Sequence, residues 1–271
     1  ATVFDVIRSK LPIGQVTYVT GCSIRDPTQT TIAAAVEAAR NSDVVVACVG
    51  GSSARDFKTN YKSTGAAETD ANTVSDMDSG EGFDRATLSL LGLQDKLLKA
   101  LKATGKPLVV VYIEGRPLDK NWASAHADAL LTAYYPGQQG GNAIADVLFG
   151  DVNPSGRLPI SVPRSVGQLP VYYNHPLPEP HDYVEMTARP LYAFGYGKSY
   201  TTFEYSRLTV NAISKDSISV SFDVTNTGTR DGAEVVQLYL NDSVASVAQP
   251  VKQLRRFARV PLTKGQTKHI T

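Results

Sequence analysis

Residues 31–50 read TIAAAVEAARNSDVVVACVG, and this run decides the fold. Ile32, Ala35, Val36 and Ala39 share one helical face, Asn41-Ser42-Asp43 makes a turn, and Val44 to Val49 is a continuous apolar strand. A strand apolar at every position belongs in a parallel sheet covered on both faces, so Val44 to Val49, Cys48 included, is expected to be buried. The unit recurs downstream. Leu93, Leu97, Leu98 and Leu101 stripe a second helix that Gly105 and Pro107 stop, and the strand Leu108 to Ile113 follows. A short strand at Ala129 to Ala133 then leads through Tyr134-Tyr135-Pro136-Gly137 to a helix striped by Ala143, Ile144, Val147 and Leu148.

Working outward, residues 1–165 are expected to form an α/β sandwich, a flavodoxin-like layered sheet with flanking helices whose first strand is missing. Asp151 to Tyr200 is rich in Pro, Gly and Tyr without a sustained period, and residues 166–200 are assigned as linker. From 201 to 271 the period changes to two. Ile218, Val220, Phe222 and Val224 alternate with polar residues ahead of the turn Asn226-Thr227-Gly228, and Val236, Leu238 and Leu240 repeat the pattern. About five strands are expected there, against the roughly seven of a complete immunoglobulin-like sandwich, so both domains read as truncated at the chain ends.

Composition narrows the partners. The 271 residues carry 27 basic and 26 acidic side chains, a net charge of +1, which points away from nucleic acid and anionic membranes as partners. The apolar runs are too short to span a bilayer. Cys22 and Cys48 lack CxxC spacing and a histidine partner, and His126, His175, His181 and His269 are scattered, so no metal site, cofactor motif or Ser-His-Asp set is assembled.

Ligands of open α/β sheets bind beyond the carboxyl ends of the strands. The loop after Val49 is the unusual one, running about forty residues to the helix at Leu93, where loops beyond about 12–15 residues are commonly functional. It contains Asp76-Met77-Asp78-Ser79-Gly80-Glu81-Gly82-Phe83-Asp84-Arg85. Glycines on both sides would place the Glu81 carboxylate at a loop tip, with Phe83 as an apolar plate for a sugar face. The plain alternative is an exposed loop acid with no role. A calcium loop through Asp76, Asp78 and Glu81 fits poorly, because Thr87 stands where the bidentate glutamate belongs. Glu114-Gly115-Arg116, at the end of the next strand, is read as a local ion pair or a structural turn.

These residues also carry a resemblance. Ser79-Gly80-Glu81-Gly82-Phe83-Asp84-Arg85, Tyr135-Pro136-Gly137-Gln138-Gln139-Gly140-Gly141, Asn153-Pro154-Ser155-Gly156-Arg157-Leu158-Pro159 and Phe194-Gly195-Tyr196-Gly197 resemble glycoside hydrolase family 3, C-terminal to its barrel. Val224 to Tyr239 is similar to the family's fibronectin type III-like domain. The resemblance implies that Glu81 is the catalytic acid/base of a retaining, exo-acting β-glucosidase, that Phe83 lines the leaving-group subsite, and that Asp84 and Arg85 hold the loop. It implies no cofactor. Implied partners are a β-linked oligosaccharide or aryl glycoside substrate and the N-terminal barrel domain of the same enzyme, which carries the nucleophile. A β-xylosidase and a non-catalytic carbohydrate-binding or scaffold fragment are the alternatives, and a secreted or periplasmic location is expected. Without the barrel, the Gly51 to Gly80 stretch is expected to be poorly ordered.

Overall fold

The computed structural model describes residues 1–55, 58–68, 75–176, 181–215 and 217–271. Two compact units emerge: residues 1–145 with 162–171, and residues 146–161 with 172–271.

In the first unit, helix α1 (Val3–Lys10) starts on a reciprocal cap in which the Asp5 amide donates to the Thr2 hydroxyl and the Thr2 amide donates to the Asp5 carboxylate. Helix α2 (Ile32–Arg40) buries Ala35 and Ala39 and delivers the chain to strand β1 (Val45–Gly50). A long excursion follows, holding the two-residue strands β2 (Asn60–Tyr61) and β3 (Ala67–Glu68), before helix α3 (Gln94–Lys102). Strand β4 (Leu108–Ile113), helix α4 (Asn121–His126), strand β5 (Ala129–Thr132) and helix α5 (Gly140–Phe149) complete the α/β part.

The sheet order is β1-β4-β5 and both pairings are parallel, with Val45 opposite Leu108 and Val109 opposite Ala129. Successive right-handed crossovers in one direction put their helices on one face. The core shows it: Ala35 and Ala39 of α2, Leu97, Leu98 and Leu101 of α3, and Ala123 of α4 pack with Ala47, Val49, Leu108, Val110 and Tyr112 of the sheet. β4 is central, and Leu108, Val110, Val111 and Tyr112 are all at most 1% exposed.

β1 corrects the sequence reading. It is an edge strand, and only Ala47, Val49 and Gly50 are buried, whereas Val44, Val46 and Cys48 are exposed. The helices α2 and α3 cover one face; among the described residues, the other face of β1 has no comparable cover.

In the second unit, strands β6 (Phe203–Ser214), β7 (Ser217–Asn226) and β10 (Thr267–Ile270) form one antiparallel sheet in the order β10-β7-β6, and β8 (Gly232–Leu240) and β9 (Gln253–Leu262) pair separately. Val224, Val236, Val260 and Leu262 form the core, joined by Phe203, Phe222 and Ile270. The period-two reading holds at Phe222 and Val224 and fails at Ile218, which is exposed because the β6 and β7 hairpin runs on past that core. Asn226 is fully buried, with its side chain accepting from the Thr201 hydroxyl and the Gly228 amide and donating to the Arg230 and Leu262 carbonyls. The Tyr-rich stretch before β6 packs ring on ring: Tyr173 stacks on Phe194 at 4.1 Å and Tyr192 on Tyr196 at 5.1 Å.

Candidate active site

The parallel strands deliver three loops to one edge, after Gly50, Ile113 and Thr132. The root of the first is held by Gln94, 4% exposed at the start of α3. Its side-chain oxygen accepts from the Gly50 amide at 2.7 Å, and its side-chain nitrogen donates to the Gly50 carbonyl at 2.9 Å. An edge strand's last residue has no ladder partner on its open side, and a glutamine can supply both missing bonds.

The loop then returns to that root. The Asp78 amide donates to the Ser52 carbonyl and the Ser52 amide donates to the Asp78 carboxylate, both at 2.9 Å. The other Asp78 oxygen accepts from Arg85 at 2.9 Å, with the two side chains 2% and 8% exposed. Arg85 also donates to the Ser89 carbonyl. Burial lowers the Arg85 pKa, and the Asp78 charge opposes that shift. Within this loop base Ser75, Met77, Asp78 and Ser79 are buried.

Seven residues of chain, Ser79 to Arg85, then make the tip. Gly80 and Gly82 stand at φ +133° and +82°, conformations costly for any residue with a Cβ, and the Phe83 amide closes on the Gly80 carbonyl at 3.1 Å. Glu81, between them, is exposed. Phe83 is 6% exposed and packs with Ala67, Met77 and the partly buried Tyr61. The ring that the sequence offers as a plate for sugar is turned inward as the core of its own loop, because the left-handed turn at Gly82 reverses the chain between the two side chains.

Asp76, like Asp78, is held by protein donors. Asp76 accepts from the Ser23 hydroxyl at 2.8 Å and from the Arg25 amide at 3.2 Å. Asp76 and Asp78 are thus occupied by protein donors, and no group of three or more metal-binding side chains occurs among the described residues. Of the expected disorder in this loop, residues 56–57 and 69–74 lie outside the described residues; the part from 75 onward is tied down by the bonds above.

The second loop contributes the arginine. Of the two readings the sequence leaves open at Glu114-Gly115-Arg116, the structure has the turn and not the ion pair between Glu114 and Arg116. Glu114 is bound by Lys120, whose ammonium lies 2.6 and 2.7 Å from the two carboxylate oxygens, with both side chains 1% exposed. Burial pushes Glu114 up and Lys120 down, each opposed by the charge of the other. The Leu118 amide donates to the same carboxylate at 3.1 Å, and Lys120 stands 4.5 Å over the Tyr112 ring. Arg116 is released to reach across to the first loop, where one guanidinium nitrogen donates to the Asp78 carbonyl at 3.1 Å and to the Phe83 carbonyl at 2.7 Å. A carbonyl acceptor has no residue signature, so pattern reading could not find this target.

The third loop begins at Tyr134, whose φ of +50° is strained for a residue with a Cβ. Its carbonyl accepts from the Glu114 amide at 3.2 Å, which locks the second and third loops together. Gly115 lies so close to the Ser79 hydroxyl and the Tyr135 ring that a methyl group there would overlap both. The histidines stay local: His126 bonds the Trp122 carbonyl, His175 the Pro176 carbonyl, and His269 the Asp223 carboxylate.

Comparison with known proteins agrees with this fold. Residues 1–200 match the glycosyl hydrolase family 3 C-terminal domain and residues 234–271 match the fibronectin type III-like domain. A periplasmic β-glucosidase of Salmonella typhimurium is 44% identical over 90% of the chain, and a β-xylosidase of Formosa agariphila 39% identical over all of it. A solved β-glucosidase of Erythrobacter marinus superposes with a TM-score of 0.82 at 38% identity, over 99% of the chain. The chain spans about a third of each relative's length, 31%, 35% and 37% respectively. With an α/β sandwich followed by a fibronectin type III-like domain, matched over residues 1–200 and 234–271, the chain belongs to glycoside hydrolase family 3, as its C-terminal portion.

Proposed function

We propose that this chain supplies the general acid/base, Glu81, to a retaining exo-β-glycosidase whose nucleophile lies on a barrel domain outside the sequence described. One observation carries the reading: Asp76 and Asp78 are consumed as anchors, and of the exposed described acids of the loop, Glu68, Glu81 and Asp84, Glu81 is the one set between two positive-φ glycines on the tip. In such a reaction two carboxyl groups about 5–5.5 Å apart flank the bond. One attacks the anomeric carbon, and the other gives its proton to the leaving oxygen and then takes one from the incoming water. The chain holds the second group, so by itself it is not expected to turn over aryl glycosides.

A β-glucoside is the favoured substrate, because the Salmonella and Erythrobacter relatives are named as β-glucosidases; a β-xyloside is second, supported by the Formosa relative that covers the whole chain. The Salmonella name also supports a periplasmic or secreted setting. Phe83, buried as it is, is assigned to shaping the leaving-group side of the loop from beneath rather than stacking on the sugar.

The test is Glu81→Ala in the complete enzyme. Dinitrophenyl glycosides need little acid assistance and should still give a burst of glycosyl-enzyme followed by slow turnover. Disaccharides should lose about 10²–10⁴-fold in rate. Azide, which needs no general base, should restore turnover and release a β-glycosyl azide of retained configuration. Equal losses on both substrates with no azide effect would remove Glu81 from the role.

A further inference from the structure

Resting on the acid/base reading of Glu81, we propose that Arg116 is the positioning residue of that carboxyl group: it fixes the tip of the loop by bridging the two backbone carbonyls on either side of Glu81.

Within the tip, residues 79–82 belong to no strand, so beyond one bond from the Ala67 amide to the Glu81 carbonyl at 3.5 Å their shape depends on what holds their two ends. Asp78 and Phe83 are those ends, and a single guanidinium nitrogen donates to both carbonyls, at 3.1 and 2.7 Å. The span is thereby set by one planar group rather than by two independent contacts. Charge-assisted bonds of this kind are stronger than neutral ones. Bridging the carbonyls also resists any spreading of Gly80 and Gly82, the two residues with the widest conformational freedom in the segment.

A clamp must itself be fixed, and Arg116 is. It sits in the short connection between β4 and α4, with Glu114 at one end and Lys120 at the other, buried and bonded to each other. The Lys120 ammonium also donates to the Leu118 carbonyl at 3.2 Å, and the Leu118 amide donates to the Arg116 carbonyl at 2.8 Å. Below the clamp, Arg85 ties the Asp78 side chain, so Asp78 is gripped by its carbonyl, its amide and its carboxylate. The sequence of support therefore runs from the ion pair to the turn, from the turn to the guanidinium, and from the guanidinium to the carboxylate-bearing tip.

A proton donor displaced by an ångström loses most of its assistance while binding and nucleophilic attack are untouched. The consequence is selective. In the complete enzyme, Arg116→Ala should lower the rate on a disaccharide by about ten- to a hundredfold while leaving burst formation with a dinitrophenyl glycoside within about twofold. Arg116→Lys should lie between, since an ammonium keeps the charge but not the rigid planar fork. Glu81→Ala runs alongside as the reference. If Glu81→Ala discriminates between the two leaving groups and neither Arg116 variant does, the clamp is overturned and the acid/base reading stands. If Glu81→Ala does not discriminate either, the acid/base reading is the one that has failed. Should neither Arg116 variant fold, Arg116 is a folding residue and the proposal is likewise overturned.

Discussion

Each unit of the protein contains a largely buried arginine and carboxylate pair, and the two pairs do different jobs. In the first unit Arg85 and Asp78 join parts of a loop whose regular pairing, among the described residues, is limited to the two-residue β2 and β3 ladder and a bridge of Ser52 to Met77, and their neighbour Arg116 ends on backbone carbonyls. In the second unit Arg157 binds Glu234 at 2.5 Å, with the Tyr205 hydroxyl donating to the same carboxylate at 3.0 Å. Glu234 and Tyr205 already belong to strands whose backbones are paired, β8 to β9 and β6 to β7. Where a ladder exists the ion pair adds stability to a geometry already determined. Where the ladder is short, as around Glu81, the ion pairs and guanidinium bonds set much of the geometry.

That contrast can be broken most sharply at Lys120. Replacing it with methionine leaves Glu114 buried without its cation, and loss of one partner of a buried pair costs about 3–5 kcal/mol. Urea unfolding of the chain should show that loss, and Glu114→Gln together with Lys120→Met should recover part of it. If the single change cost under about 1 kcal/mol, the pair would not be the foundation described above.

A smaller effect is expected from Glu234→Gln, which keeps the shape but removes the charge from Arg157 and turns one of the two accepting oxygens into an NH2 donor, with the two side chains 11% and 13% exposed. A loss of about 1–2 kcal/mol in chemical denaturation is expected. In the complete enzyme the leaving-group dependence should not move. A change in that dependence would mean that the second unit also sets catalytic geometry.

The smallest effect belongs to Asp128, at the surface. Its carboxylate accepts from Lys102 at 2.8 Å and from the Leu108 amide at 2.8 Å, and these bonds, Lys102 first, hold its pKa below the usual carboxylate range. A depressed folded pKa contributes stability that is present above the ordinary carboxylate range and lost as pH falls through the lower, folded value. Asp128→Asn should therefore lower stability slightly at neutral pH and leave it nearly unchanged below the folded carboxylate range, so that the acid side of the profile flattens. A steeper acid limb in the variant would contradict the assignment.

Much of the framework was legible because periodicity reports burial on one face. The stripes at Ala35 and Ala39 and at Leu97, Leu98 and Leu101 mark α2 and α3, and the run Leu108 to Ile113 is the central strand. The same logic overreached at Val44, Val46 and Cys48, since an apolar run says that a strand is meant to be covered but not what covers it. At the site, the flanking glycines signalled a loop tip at Glu81. The side chains that mount the tip were silent in the pattern, because Gln94, Arg116 and Asp78 bond to backbone groups or to residues far along the chain, such as Gly50 and Ser52. Phe83 shows the limit in another way: an aromatic beside a candidate acid is as ready to fill the loop's interior as to meet a ligand.

The mounting of the tip has a consequence for how the site tolerates acid and base. Gln94 holds the root of the loop with an uncharged amide, and Arg116 holds its shoulders through backbone carbonyls, groups that carry no proton to exchange. On the acid/base role proposed for Glu81, its carboxyl group is carried on a frame that does not register the exchange of its proton.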